Sequence, residues 1–253
     1  MFLFYRILPL LSSLIIAIAF YFQFNQPFDY PWFVALGIIV LATSAYLMSR
    51  KRVDLWDMVE KMLPTMLLIL ALAFAMLLTE GRFEQFMVIG LSFVCSFLSL
   101  QLLFFLCFMP SRYPVGGLSR VNIAYVPLII LFAVSTSTGM ITFLHTPPWS
   151  HVAGMVILGI LLFRTTGHPE ASGKQNRTWM LVGAITGLYL GLLGATLPLG
   201  LWQQGALSMI IFCGILRMRR YLYNPLPSKR QAVSEFVLAV VFLLAIAITS
   251  RWL

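Results

Sequence analysis

Residues 86–109 read FMVIGLSFVCSFLSLQLLFFLCFM, a run that contains no charged side chain. At about 1.5 Å rise per residue, a helix of this length crosses the ~30 Å hydrocarbon core of a bilayer. The run lacks the period-2 alternation of a barrel strand and is more than twice as long as the ~10 residues such a strand needs. With no water in the bilayer core, every backbone N–H and C=O must find an internal partner. A transmembrane helix meets that condition.

Similar runs recur on both sides of this one. Expected spans lie near 3–22, 31–48, 64–79, 86–109, 121–144, 149–163, 179–197, 201–218 and 233–250. Pro31, Pro110 and the pair Pro198 and Gly200 punctuate several of their ends, where a residue without an N–H, or one without a Cβ, is tolerated. Apolar residues make up 60% of the chain and charged residues 10%, against about 25% charged in a soluble domain. The fold class read from this pattern is all-α: a polytopic transmembrane helical bundle of about nine spans. It forms a single transmembrane domain over 1–253, with no soluble domain.

Charge placement orients the spans. With the N-terminus cytoplasmic, that side holds Arg6, Arg50, Lys51, Arg52, Lys61, Arg112, Arg120, Arg164, Lys174, Arg177, Arg217, Arg219, Arg220, Lys229 and Arg230. The opposite side, which includes the C-terminus, holds only Arg82 and Arg251. This is the positive-inside distribution of a protein of the cytoplasmic membrane. The net charge of +9 is therefore a topology signal. No loop is long enough to build a basic domain, so no nucleic-acid partner is expected.

Two segments have a second reading. Arg6, the apolar stretch after it and Ala17-Ile18-Ala19 imitate a cleavable signal peptide, although the apolar run continues through Phe20–Phe22, as an uncleaved span would. From Val53 to Leu63, Leu55, Met58, Val59, Met62 and Leu63 share one helical face, while Asp54, Asp57, Glu60 and Lys61 lie away from it. This stretch is expected to lie along the cytoplasmic interface, anchored by Trp56, with Pro64 starting the third span. The alternative is a cytosolic extension of that span.

Within the spans, no Asp, Glu, Lys, Arg or His falls near a midpoint, which disfavours a proton-coupled pump. Cys95, Cys107 and Cys213 sit in apolar runs without CxxC spacing and read as packing residues. The seventh span carries Gly183, Gly187, Gly191 and Gly194. At 100° per residue these project at about 0°, 40°, 80° and 20°, one bare strip suited to close helix–helix packing. The fifth span carries Ser135, Thr136, Ser137 and Thr138, and the fourth carries Ser92, Ser96 and Ser99 on one face. Such hydroxyls commonly bond back to their own helix; alternatively, the two groups line a polar cavity.

Outside the spans, Arg112 and Arg120 flank Gly116-Gly117, and Arg217, Arg219 and Arg220 form a basic cluster with Tyr221 and Tyr223. These arginines read first as topology signal and interface anchors; the alternative is that they contact anionic lipid headgroups. His145 and His151 share a predicted outer loop with Pro147-Pro148, but their spacing matches no metal motif. Asn176 heads a glycosylation acceptor pattern that would face the cytoplasm and go unused. There is no Walker loop, nucleophile elbow, serine–lysine or aspartate pair, or zinc spacing, so no catalytic residue, metal ligand or cofactor is assigned.

Three function classes remain, in this order. The first is a non-catalytic subunit or scaffold of a membrane assembly. The second is a carrier or channel for a neutral or lipid-like solute. The third is an interfacial lipid-modifying enzyme, which would combine the arginine loops with Asp54, Asp57, Glu60 or Glu170. The expected partners are membrane lipids together with other membrane subunits or a second copy of the chain.

Overall fold

Most of the described apolar runs fold as helices that begin ahead of their apolar limits, because the hydrogen-bond ladder reaches into the polar flanks. A computed structural model describes residues 2–26, 29–50, 52–166, 173–197 and 199–223, together with isolated positions from 233 to 248. The helices are α1 (Phe2–Asn25), α2 (Tyr30–Ser49), α3 (Leu55–Met76), α4 (Arg82–Phe108), α5 (Gly117–Leu144), α6 (Pro148–Thr165), α7 (Gly173–Thr196) and α8 (Leu201–Tyr223). Among the described residues, eight helices are long and apolar enough to cross a membrane. The protein is an all-α, multi-pass bundle. The expected ninth span, 233–250, lies outside the described residues apart from those isolated positions.

The start of the third span differs from the expectation. Residues 55–63 are not a separate interfacial helix: α3 runs unbroken from Leu55 and holds Pro64 inside it. A proline in a helix interior removes one backbone donor and crowds the carbonyl four residues earlier, at a cost of about 3 kcal/mol. Burial on the same helix offsets that cost, with Met58 at 4% exposure and Met62 at 0%. Asn122 Nδ2 also donates to the Lys61 carbonyl at 2.8 Å, one turn before the proline. Met58 and Met62 thus turn onto protein, while Leu55 at the start of the face stays exposed.

The chain divides into two compact units, 1–125 and 126–253. In the first, α1 packs on α2 and α4, α3 packs on the same two helices, and α2 touches α4. Ile16, Phe20, Leu41, Met62, Leu68, Ile69, Leu72, Leu100 and Phe104 form its buried centre. Polar side chains tie these helices together. The Ser12 and Ser44 hydroxyls share a 2.6 Å hydrogen bond, and Gln23 Nε2 donates to the Ala73 carbonyl at 2.7 Å. Arg52 donates to the Cys107 carbonyl at the end of α4 and lies over the Phe108 ring. It therefore caps a carbonyl with no partner in its own helix. In the second unit, the contact between α6 and α7 is the most extensive, and α8 packs against α7.

Candidate functional site

Two helical faces singled out by sequence carry most of the unusual chemistry. The first is the glycine strip of α7, which faces α6. A Cβ placed on Gly183 would sit 2.5 Å from the Gly159 carbonyl oxygen, and one on Gly159 would collide with the Gly183 carbonyl in return. A Cβ on Gly187 would collide with the Met155 carbonyl, and one on Gly191 would lie 2.8 Å from Val152 Cα. At Gly194 the obstacle is a side chain, the His151 imidazole, with Nε2 2.5 Å from that position. Because a glycine's second Hα points where a Cβ would stand, Gly159, Gly183 and Gly187 aim C–H groups at opposing carbonyls. Such weak hydrogen bonds recur at close helix contacts. Sequence reasoning missed Gly159, whose signal is its place one and two turns beyond Met155 and Val152.

The second face is the hydroxyl set, and its members behave differently. Ser92 donates to the Ile89 carbonyl and Ser96 to the Ser92 carbonyl, each at 2.7 Å. Ser99 lies at the centre of a buried cross-link: it accepts from Thr65 Oγ1 at 2.9 Å and lies 3.2 Å from Tyr125 Oη. Tyr125 donates to the Cys95 carbonyl at 2.8 Å. The hydroxyls of α3, α4 and α5 thereby join three helices of the first unit.

In the second unit, Thr136 and Ser137 bond back to the carbonyls of Phe132 and Ala133, each at 2.6 Å. Ser135 Oγ and Thr138 Oγ1 are buried without a hydrogen-bond partner. Ser135 faces α8, where a Cβ on Gly205 would collide with its hydroxyl and sit 2.6 Å from the Leu131 carbonyl. The Gln204 amide, also buried, donates to the Leu197 carbonyl at 2.6 Å and leaves its Oε1 unpartnered.

The arginines do not form one set. Arg120 is exposed in the first turn of α5, and Arg112 is exposed in the turn between α4 and α5. Gly116, at φ 66°, supplies the left-handed residue of that turn. Tyr113 Oη accepts from the Leu118 N–H at 2.9 Å and so caps the start of α5. Arg217 is exposed, but Arg219 is 3% exposed and turned inward. It donates to the Phe163 carbonyl at 2.6 Å and to Asn176 Oδ1 at 3.1 Å, and lies over the Phe163 and Trp179 rings. Its planar guanidinium joins α6, α7 and α8, a role for which Lys would be a poor substitute. That burial removes Arg219 from the candidate lipid contacts. The Arg220 side chain lies outside the described residues.

His151 is 4% exposed, and neither ring nitrogen has a partner. His145 is exposed at φ 49° in the preceding turn. Among the described residues, no three His, Cys, Asp or Glu side chains come together as a metal site would require.

These features define a membrane-embedded multi-helix protein. No protein family matches the chain, and no curated protein or solved structure matches it.

Proposed function

We propose that this chain is a non-catalytic subunit or scaffold of a membrane assembly. The supporting observation is how its intramembrane polar side chains are used: Ser12 with Ser44, Gln23 with Ala73, Thr65 with Ser99 and Tyr125, and Arg219 with Phe163 and Asn176 all link one helix to another. Side chains that hold helices together build a rigid body. The bare face of α7 is covered by α6 of the same chain, so a partner would meet the lipid-facing sides of the bundle. The partner is another membrane subunit or a second copy, and the N-terminus and arginine-bearing loops face the cytoplasm, following the charge distribution. Cross-linking in intact membranes, followed by purification in mild detergent, tests this reading. A stoichiometric membrane partner or a defined homo-oligomer is expected. A cross-link-free monomer would overturn it.

A second reading, a carrier for a small neutral solute, draws on the unpartnered Ser135 and Thr138 hydroxyls. Buried polar atoms of this kind usually find a water or a ligand. In proteoliposomes, Ser135→Ala and Thr138→Val would then each reduce solute flux while the folded protein is recovered intact. Equal flux in both variants would remove the reading.

A further inference from the structure

The outer surface of the first unit has a groove of about 530 Å³ between α1 and α4, lined by Leu3, Arg6, Ile7, Leu10, Phe97 and Gln101. Four walls are apolar, one residue is a cation, one is an amide, and none is a carboxylate. Leu3, Ile7 and Leu10 follow one another at i, i+4 and i+7, a single stripe along α1. They stand 69%, 42% and 48% exposed, so the groove opens to the side where lipid lies.

Gln101 is the informative residue. It sits in the apolar run of α4, seven residues before the helix ends at Phe108, about 10 Å along the axis. Among the described residues, its amide has no hydrogen-bond partner and Arg6 has neither a hydrogen bond nor an ion pair. An amide held in hydrocarbon without a partner is costly, so a polar group from the occupant would stabilise it. Side chains on a helix lean toward its N-terminus, which carries Arg6 toward the membrane surface where lipid phosphates lie. The positive end of the α1 dipole favours an anion there as well.

We propose that this groove holds one anionic glycerophospholipid. Its phosphate accepts hydrogen bonds from Arg6, its glycerol ester region meets Gln101, and one acyl chain lies along Ile7, Leu10 and Phe97. A zwitterionic lipid fits less well, because no carboxylate in the lining would balance its ammonium group. Charged hydrogen bonds from a guanidinium are the stronger kind; the neutral Gln101 amide separates a built site from simple attraction of an arginine to the membrane surface.

The test is a thermal titration of the purified full chain in neutral detergent, with phosphatidylglycerol, phosphatidylcholine of the same acyl chains, or inorganic phosphate. Phosphatidylglycerol is expected to raise the unfolding midpoint saturably, and the other two to leave it in place. Arg6→Gln and Gln101→Leu are each expected to shift the phosphatidylglycerol half-saturation about tenfold upward, while Arg50→Gln, at an exposed arginine outside the groove lining, keeps the wild-type curve. If Arg6→Gln protein cannot be recovered, Gln101→Leu decides, since leucine is fully compatible with that surface. A wild-type curve for Gln101→Leu, an equal effect of phosphatidylcholine, or an effect of phosphate alone would overturn the proposal.

Discussion

Tyr125 is 5% exposed and sets its hydroxyl between Ser99 and the Cys95 carbonyl. Removing the oxygen leaves the ring packing intact and isolates the polar contribution. Tyr125→Phe is expected to cost about 1 kcal/mol, the usual net worth of a buried hydrogen bond, read as a lower unfolding midpoint in detergent. Ser99 keeps the Cys95 carbonyl within 3.0 Å, so it is not stranded. Ser99→Ala in the Tyr125→Phe background should then cost less than it does alone, because the pair is coupled. Strict additivity would mean that the two hydroxyls act independently. None of these contacts was legible locally: a serine at i, i+4, i+7 spacing looks the same whether it faces a cavity, its own backbone or a tyrosine from another helix.

At the scale of elements, the α6–α7 hairpin gives the sharpest expectation. Gly187→Leu would drive a side chain into the Met155 carbonyl and the Val156 backbone. Backbone cannot move aside as a flexible side-chain tip can, so the helices must separate. The expected loss is about 1–3 kcal/mol, the range for overpacking, and most of it would be lost dispersion, since lipid supplies no hydrophobic drive between helices. Ile185, 54% exposed on the opposite face of α7, serves as the control, and Ile185→Phe should leave the midpoint unchanged. If both Gly187→Leu and Gly191→Leu match wild type, the strip is no packing surface. The strip itself was readable as a period, because the helical repeat places its four glycines on one side. Its partner was not, because Gly159 has no second glycine on its own helical face (Gly154 lies five residues away) and gains meaning only beside Gly183. Pro64 teaches the converse: a local helix-start signal overridden by burial of the face that carries Met58 and Met62.

For the whole molecule, orientation is the quantity to measure. Glu84 lies at the start of α4 and Val115 in the turn before α5, both exposed and at opposite ends of one span. Single cysteines at these positions should react differently with an impermeant thiol reagent applied to intact cells. Glu84→Cys is expected to label and Val115→Cys to label only after permeabilisation. The native Cys95 and Cys107, 4% and 3% exposed, should contribute little background. Labelling of Val115→Cys alone in intact cells would invert the orientation read from the lysines and arginines.

The sequence by itself determined the solvent of this protein, its helical class and the approximate place of each described span. Each of these follows from one-dimensional quantities: apolar run length against bilayer thickness, and the backbone's need to bond internally in lipid. Tertiary structure alone decided what each polar or small residue in a span does. Arg219 read as a surface cation until α6 and α7 closed around it, and Gln101 carried no signal of its own until α1 brought Arg6 to the same groove. The physical reason is that a side chain's role in lipid depends on what lies across from it, and helix pairing brings together residues far apart in the chain.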